Sequence, residues 1–294
     1  MMKAKSKVLV GLLAVLLLLP AAAFAGEPFV STDWLQANLS KVTVLDVRKV
    51  EEYNDGHIPG AINVFYGVWG IKKGVLLNEL PSDDDLRDIL SSAGIEPTTQ
   101  VVVVSKNEGI PFRTDATRVA WTLRYAGVEN AAVLSGGIDK WAAEKKTLSK
   151  EAVKPKAKPY RGKFNKQFYA SKADVLAALG TAVIVDVRAP EFYKGEKKLD
   201  FVAKTGHIKG AVNLPPALLY NADGTYKSKA EIEAIAKPVV GADLNKEIIV
   251  YCDTGKVCTT WWLALHDLLG YKNVRDYDGS SMEWMADPTA PKEP

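Results

Sequence analysis

The chain has 294 residues, 47% hydrophobic and 25% charged, with 22 Gly and 15 Pro, which excludes disordered, collagen-like and coiled-coil classes and predicts two globular domains at roughly 100–200 residues each. Its formal charge of +3, from 38 Lys+Arg and 35 Asp+Glu, is too small to neutralise a nucleic-acid backbone. Two Cys and three His cannot build a zinc framework, so neither metal nor other cofactor is expected.

In chain order, Lys3, Lys5 and Lys7 precede the uncharged apolar run Val8–Leu19, then Pro20 and Ala21-Ala22-Ala23-Phe24-Ala25. Basic head, apolar core, breaker and Ala-x-Ala predict a signal peptide over residues 1–25, export to the periplasm or secretion, and no stable membrane insertion after cleavage. An uncleaved anchor is the competing reading of the 18 uncharged residues Val8–Ala25. Without the leader the chain is neutral.

Residues 26–149 form a first domain in this reading. Buried-strand runs at Val42–Leu45 and Val101–Val104 alternate with a helical pattern over Arg118–Ala126. Residues 150–163 (KEAVKPKAKPYRGK), with six basic residues, one acid and two Pro, read as an extended solvated linker, with an anion-binding patch as the alternative. Residues 164–294 form a second domain, with strand runs at Val183–Val185 and Ile248–Tyr251 and a helical pattern over Thr259–Leu269.

The two domains repeat one another. Val44-Leu45-Asp46-Val47-Arg48 matches Ile184-Val185-Asp186-Val187-Arg188, and Gly56-His57-Ile58-Pro59-Gly60-Ala61 matches Gly206-His207-Ile208-Lys209-Gly210-Ala211 with ten extra residues in the second copy. Strands alternating with helices predict, for each copy, a small mostly parallel α/β sheet with helices on both faces. Ligands in such folds bind beyond the strands' carboxyl ends.

There, Ile248–Tyr251 runs into Cys252-Asp253-Thr254-Gly255-Lys256-Val257-Cys258 and then a helix. A thiol at a strand end, followed by a tight turn into a helix, faces several N–H groups, and that favours a thiolate able to act as nucleophile. The local pattern leaves an inert buried cysteine equally open. Asp46 and Asp186, with Arg48 and Arg188 two residues on, read as fold-fixing ion pairs, and His57 and His207 as turn braces. Trp121, Trp141, Trp261, Trp262 and Trp284 read as core or interface residues, and His266 as surface or packing.

With Asp-Val-Arg before Gly-His-Ile-x-Gly-Ala in both halves, with Val250-Tyr251-Cys252-Asp253-Thr254-Gly255-Lys256, and with Asn273–Ser280 leading to Glu283-Trp284, the chain resembles the tandem rhodanese family of thiosulfate and 3-mercaptopyruvate sulfurtransferases. The resemblance implies an enzyme in which Cys252 takes a sulfane sulfur from a small anionic donor. The resulting persulfide is cradled by the segment Asp253, Thr254, Gly255, Lys256, Val257 and Cys258, and passed to a thiophilic acceptor such as cyanide or a thiol. It also implies an inactive first copy, where Ser105 stands in place of Cys252. Ser105 to Asp115 spans ten steps against six from Cys252 to Cys258, which predicts a first loop four residues longer.

Three positions depart from the family pattern. Asp253 follows the nucleophile where Arg, Lys or Gly is usual, Phe192 replaces a substrate-binding Arg, and Cys258 replaces Ala or Ser. An anion clamp could then come from Arg188, Lys256 or Arg113. Cys258 reads either as a small buried residue or as a resolving thiol, so the alternative function is an exported Cys252/Cys258 redox or sulfur-binding module served by a thiol reductant. A cysteine phosphatase would need Arg where Cys258 stands.

Overall fold

The structure is a computed structural model and describes residues 27–294, so the leader lies outside the described residues. Two five-stranded sheets carry the same topology. From one edge the first runs Phe29–Val30, Asn130–Leu134, Gln100–Val104, Thr43–Asp46, Ile62–Asn63, and the second runs Tyr169–Ala170, Asn273–Tyr277, Glu247–Tyr251, Val183–Asp186, Val212–Asn213. All neighbouring strands within these two sheets are parallel. Such strands need crossover connections, which places helices over the sheet faces.

Period-two alternation decides which side chains go where. In the central strand of the first sheet, Val101 and Val103 face one core and Val102 and Val104 another. In the second, Ile248 and Val250 face one side and Ile249 and Tyr251 the other. Val101, Val103, Ile248 and Val250 all belong to one continuous apolar cluster, so the two copies share a core.

The helix Ile110–Ala126 is central to that shared core. Pro111 opens it, and Gly127, at φ +96°, closes it by donating its N–H to the carbonyls of Arg124 and Leu123. Ala116, Thr117, Arg118, Val119, Ala120, Trp121 and Leu123 along it are buried. It packs on the helix Thr259–Leu263, with Thr117 Oγ1 2.9 Å from Thr259 Oγ1. The predicted helix over Thr259–Leu269 is α-helical only to Leu263 and continues as a π-turn over Ala264–Leu268.

The expected long first loop is absent. The loop from Ser105 to Gly109 is two residues shorter than its counterpart Cys252–Cys258, and the extra residues extend the N-terminal end of the helix that begins at Ile110. Residues 150–163 contain no helix or strand, yet they are not freely solvated. Tyr160 is buried and donates its O–H to the Ala126 carbonyl at 2.7 Å, while Lys158 donates its N–H to the Ser91 carbonyl at 2.9 Å. The segment's charges are exposed, while Tyr160 and the half-buried Val153 pack against the core.

Among the described residues no helix is long and apolar enough to cross a membrane.

Candidate active site

Cys252 directly follows the central strand Glu247–Tyr251. The flanking strands place Val187–Arg188 on one side and Tyr277–Asp278 on the other, since Tyr251 pairs with Asp186 and Val250 with Asp276. A second turn holds the loop from below. Ser280 Oγ accepts the N–H groups of Cys252 at 3.1 Å and Gly255 at 2.9 Å, and donates its proton to the Tyr277 carbonyl at 2.7 Å. Ser281 and Met282 N–H groups donate to the carbonyls of Cys252 and Asp253. Gly255 sits at φ +69°, and a Cβ there would lie 2.5 Å from the Asp278 carbonyl oxygen, so the turn requires glycine.

This arrangement aims donors at sulfur. Burial by itself would push the Cys252 thiol up. The Cys258 S–H and the backbone N–H groups of Thr254, Cys258 and Val257 outweigh it and bring the thiol down to about 6. Cys252 is 1% exposed, so the thiolate is held by protein dipoles rather than by water. The same donors suit a persulfide anion.

Behind Cys252 lies a polar chain that crosses between the copies. Cys258 Sγ is 3.5 Å from Cys252 Sγ and 2.9 Å from Asp276 Oδ1, so its one proton has two alternative acceptors. Burial and the neighbouring Cys252 hold the Cys258 thiol well above its ordinary value. Burial also pushes the Asp276 carboxyl well up, the direction that makes it a stronger proton acceptor. Arg118, from the first copy and fully buried, lies 2.6 Å from Asp278 Oδ1 and 3.4 Å from Asp276 Oδ2, and donates to the carbonyls of Gly255 at 2.7 Å and Asn78 at 2.9 Å. Asn78 in turn donates to Thr254 Oγ1.

At the mouth the expected cations divide. Arg188 Nη1 stands 3.8 Å from Asp253 Oδ1, and neither atom has a hydrogen-bond partner among the described residues. Burial and the Cys252 charge raise the Asp253 carboxyl to about 7, against the pull of Arg188. Lys256 reaches Asp115 at 2.5 Å and lies over the Tyr66 ring. Arg113 is turned away: it donates to Asn107 Oδ1 at 2.6 Å and covers Tyr220, beside Ser105 in a small separate cavity. Phe192 lies on the short helix Pro190–Tyr193.

The remaining candidates brace each copy in the same way. Arg48 grips Asp46 through two nitrogens and donates to the Gly56 carbonyl, and Arg188 does so with Asp186 and Gly206. The His57 ring bonds the Tyr53 and Glu151 carbonyls, and His207 the Tyr193 carbonyl. Trp121, Trp141, Trp261, Trp262 and Trp284 are buried, and His266 stacks on Trp262. Sequence reasoning missed Arg118, Asp276, Asp278 and Ser280 as site residues. The available signal was slight: Arg118 is one of three arginines on its helix, set between Thr117 and the run Val119-Ala120-Trp121.

A duplicated parallel α/β domain, with one cradled cysteine at the end of a central strand, defines the class of protein. The sequence pattern of the Rhodanese-like domain matches residues 31–144 and again 171–287, and the chain belongs to that family. It is 33% identical over 278 residues to the sulfur carrier protein TtuD of Thermus thermophilus, covering 88% of this chain and 93% of that one. It is 31% identical over 268 residues, covering 88% and 94%, to a Mycolicibacterium smegmatis protein provisionally named thiosulfate sulfurtransferase. The solved structure of EanB with ergothioneine superimposes with a TM-score of 0.78 at 25% identity, over 90% of this chain and 70% of EanB. Another EanB structure carries a cysteine persulfide. Sulfurtransferase or sulfur-carrier chemistry is thus the function of the class.

Proposed function

We propose that the protein is an exported sulfurtransferase in which Cys252 takes the outer sulfur of thiosulfate or 3-mercaptopyruvate and passes it to cyanide or a thiol. The observation that carries this reading is the cradle itself: three backbone N–H groups and one S–H converge on a buried sulfur whose thiol lies near 6. The thiolate attacks the outer sulfur of thiosulfate and sulfite leaves, or it attacks the thiol sulfur of 3-mercaptopyruvate, whose proton passes to the departing carbon so that pyruvate leaves. The outer sulfur is then held by the loop N–H groups, with Arg188 the cation facing Asp253. The persulfide of EanB supports the same chemistry here.

Intact mass after exposure to donor tests it. The protein gains one sulfur, loses it to cyanide, and gains nothing as Cys252→Ser. An unchanged mass with both donors would sink the reading. Export rests on the leader sequence, and amino-terminal sequencing of the protein from the periplasm or medium is expected to begin at Gly26. A mature protein retaining Lys3–Lys7 overturns it.

A further inference from the structure

Cys258 has three properties that a filler residue does not need. It touches the nucleophile, with the two sulfurs 3.5 Å apart and already in van der Waals contact. Its one proton, within reach of Cys252 Sγ, also reaches a carboxylate, Asp276 Oδ1, 2.9 Å away. That carboxylate is itself fully buried and held by Arg118 from the other copy. Burying a carboxylate is costly, and the Cys258 S–H is the donor that meets Asp276 Oδ1. The trio of electrophilic sulfur, second thiol and base is the arrangement that thiol–disulfide exchange requires.

Building on the persulfide reading above, we propose that Cys258 is a resolving thiol and Asp276 its base, so that the protein releases the sulfur it has captured as hydrosulfide. Asp276 takes the Cys258 proton, and the Cys258 sulfur attacks Cys252 Sγ. A Cys252–Cys258 bond forms as the bond from Cys252 Sγ to the outer sulfur breaks. The outer sulfur leaves with the electron pair of that bond and ends carrying the Cys258 proton. The reaction converts one persulfide anion and one thiol into one disulfide and one hydrosulfide. The sulfane sulfur is reduced by two electrons, the two cysteines are oxidised, and no external oxidant is consumed. Closing the bond brings the sulfurs about 1.5 Å nearer, to the normal disulfide length. An external dithiol reductant, attacking the Cys252 sulfur from the loop mouth, reopens the disulfide and completes the cycle.

The test follows sulfur through a single turnover. Reduced protein, freed of reductant under anaerobic conditions, receives one equivalent of inorganic polysulfide or thiosulfate. Intact mass is read over time and hydrosulfide is trapped with a bimane. The wild-type chain is expected to gain one sulfur, then to lose that sulfur together with two hydrogens, with one hydrosulfide trapped per chain and no thiol added. Cys258→Ser gains the sulfur and keeps it. Asp276→Asn also loads but releases on the order of 100-fold more slowly. Wild-type protein that keeps its extra sulfur, with Cys258 still alkylatable after denaturation, overturns the proposal and leaves sulfur transfer intact. If the loaded sulfur is found on Cys258 itself, direct transfer replaces resolution and the proposal also fails. Should neither the wild type nor Cys258→Ser ever gain sulfur from either reagent, it is the persulfide reading that falls.

Discussion

At the scale of single residues, Cys252 and Asp253 are neighbours with opposite demands. Cys252 must be ionised to attack, and its thiol lies near 6. Asp253, near 7, is best neutral when an anionic donor arrives, because its charge would cancel that of Arg188 at 3.8 Å. The sign of each effect fixes a bell. Activity rises with pH as Cys252 loses its proton near 6, and falls above about 7 as Asp253 becomes negative. Asp253→Asn is expected to abolish the alkaline limb alone and to raise kcat/KM for thiosulfate at pH 8 about tenfold, the size of one partly screened like-charge repulsion. An unaltered alkaline limb would assign it to another group. Asp253→Gly is expected to improve 3-mercaptopyruvate turnover for the same reason, read as a lower KM. The place of Cys252 at a strand end before a glycine turn was legible, although the same pattern left an inert buried thiol equally open. The pairing of Asp253 with Arg188 was not, since 65 residues separate them in sequence.

At the scale of elements, the reactive loop is held by a second turn rather than by itself. Ser280 adopts φ +49°, a left-handed conformation unusual for a residue with a side chain, and spends its hydroxyl on two loop N–H groups and a carbonyl. Ser280→Ala leaves the Cys252 and Gly255 N–H groups buried without partners and is expected to cost about 2–3 kcal/mol in denaturant unfolding. Ser280→Gly should fall short of that loss by about 1 kcal/mol, because glycine relieves the backbone while still lacking the hydroxyl. Equal losses would mean that the left-handed geometry carries no strain. The alternating strands, the crossover helices and the duplication were readable from periodicity. The relation between two turns 28 residues apart was not, because periodicity reports faces and not which loops meet.

At the scale of the whole molecule, the two copies are joined through charge as well as through a shared core. Arg118 of the first copy neutralises Asp276 and Asp278 of the second, and Lys256 of the second meets Asp115 of the first. Arg118→Met strands two buried carboxylates and is expected to destabilise the chain by about 3–5 kcal/mol, with the Cys252 thiol titrating higher by alkylation rate. A variant as stable as wild type would show that the carboxylates are compensated from elsewhere. Sequence located the helix that carries Arg118, but one of three arginines on a helix does not announce its partner. The order of residues along the chain adds a consequence for biosynthesis. Asn78, Asp115 and Arg118 are translated well before Cys252, whereas the N–H groups of Thr254, Val257 and Cys258 and the Ser280 hydroxyl that holds their loop follow it, so the scaffold that gives the sulfur its reactivity is completed last. Until the second half docks, Cys252 lacks that scaffold and behaves as an ordinary thiol, and a nascent chain is thereby spared from capturing sulfur before it can discharge it.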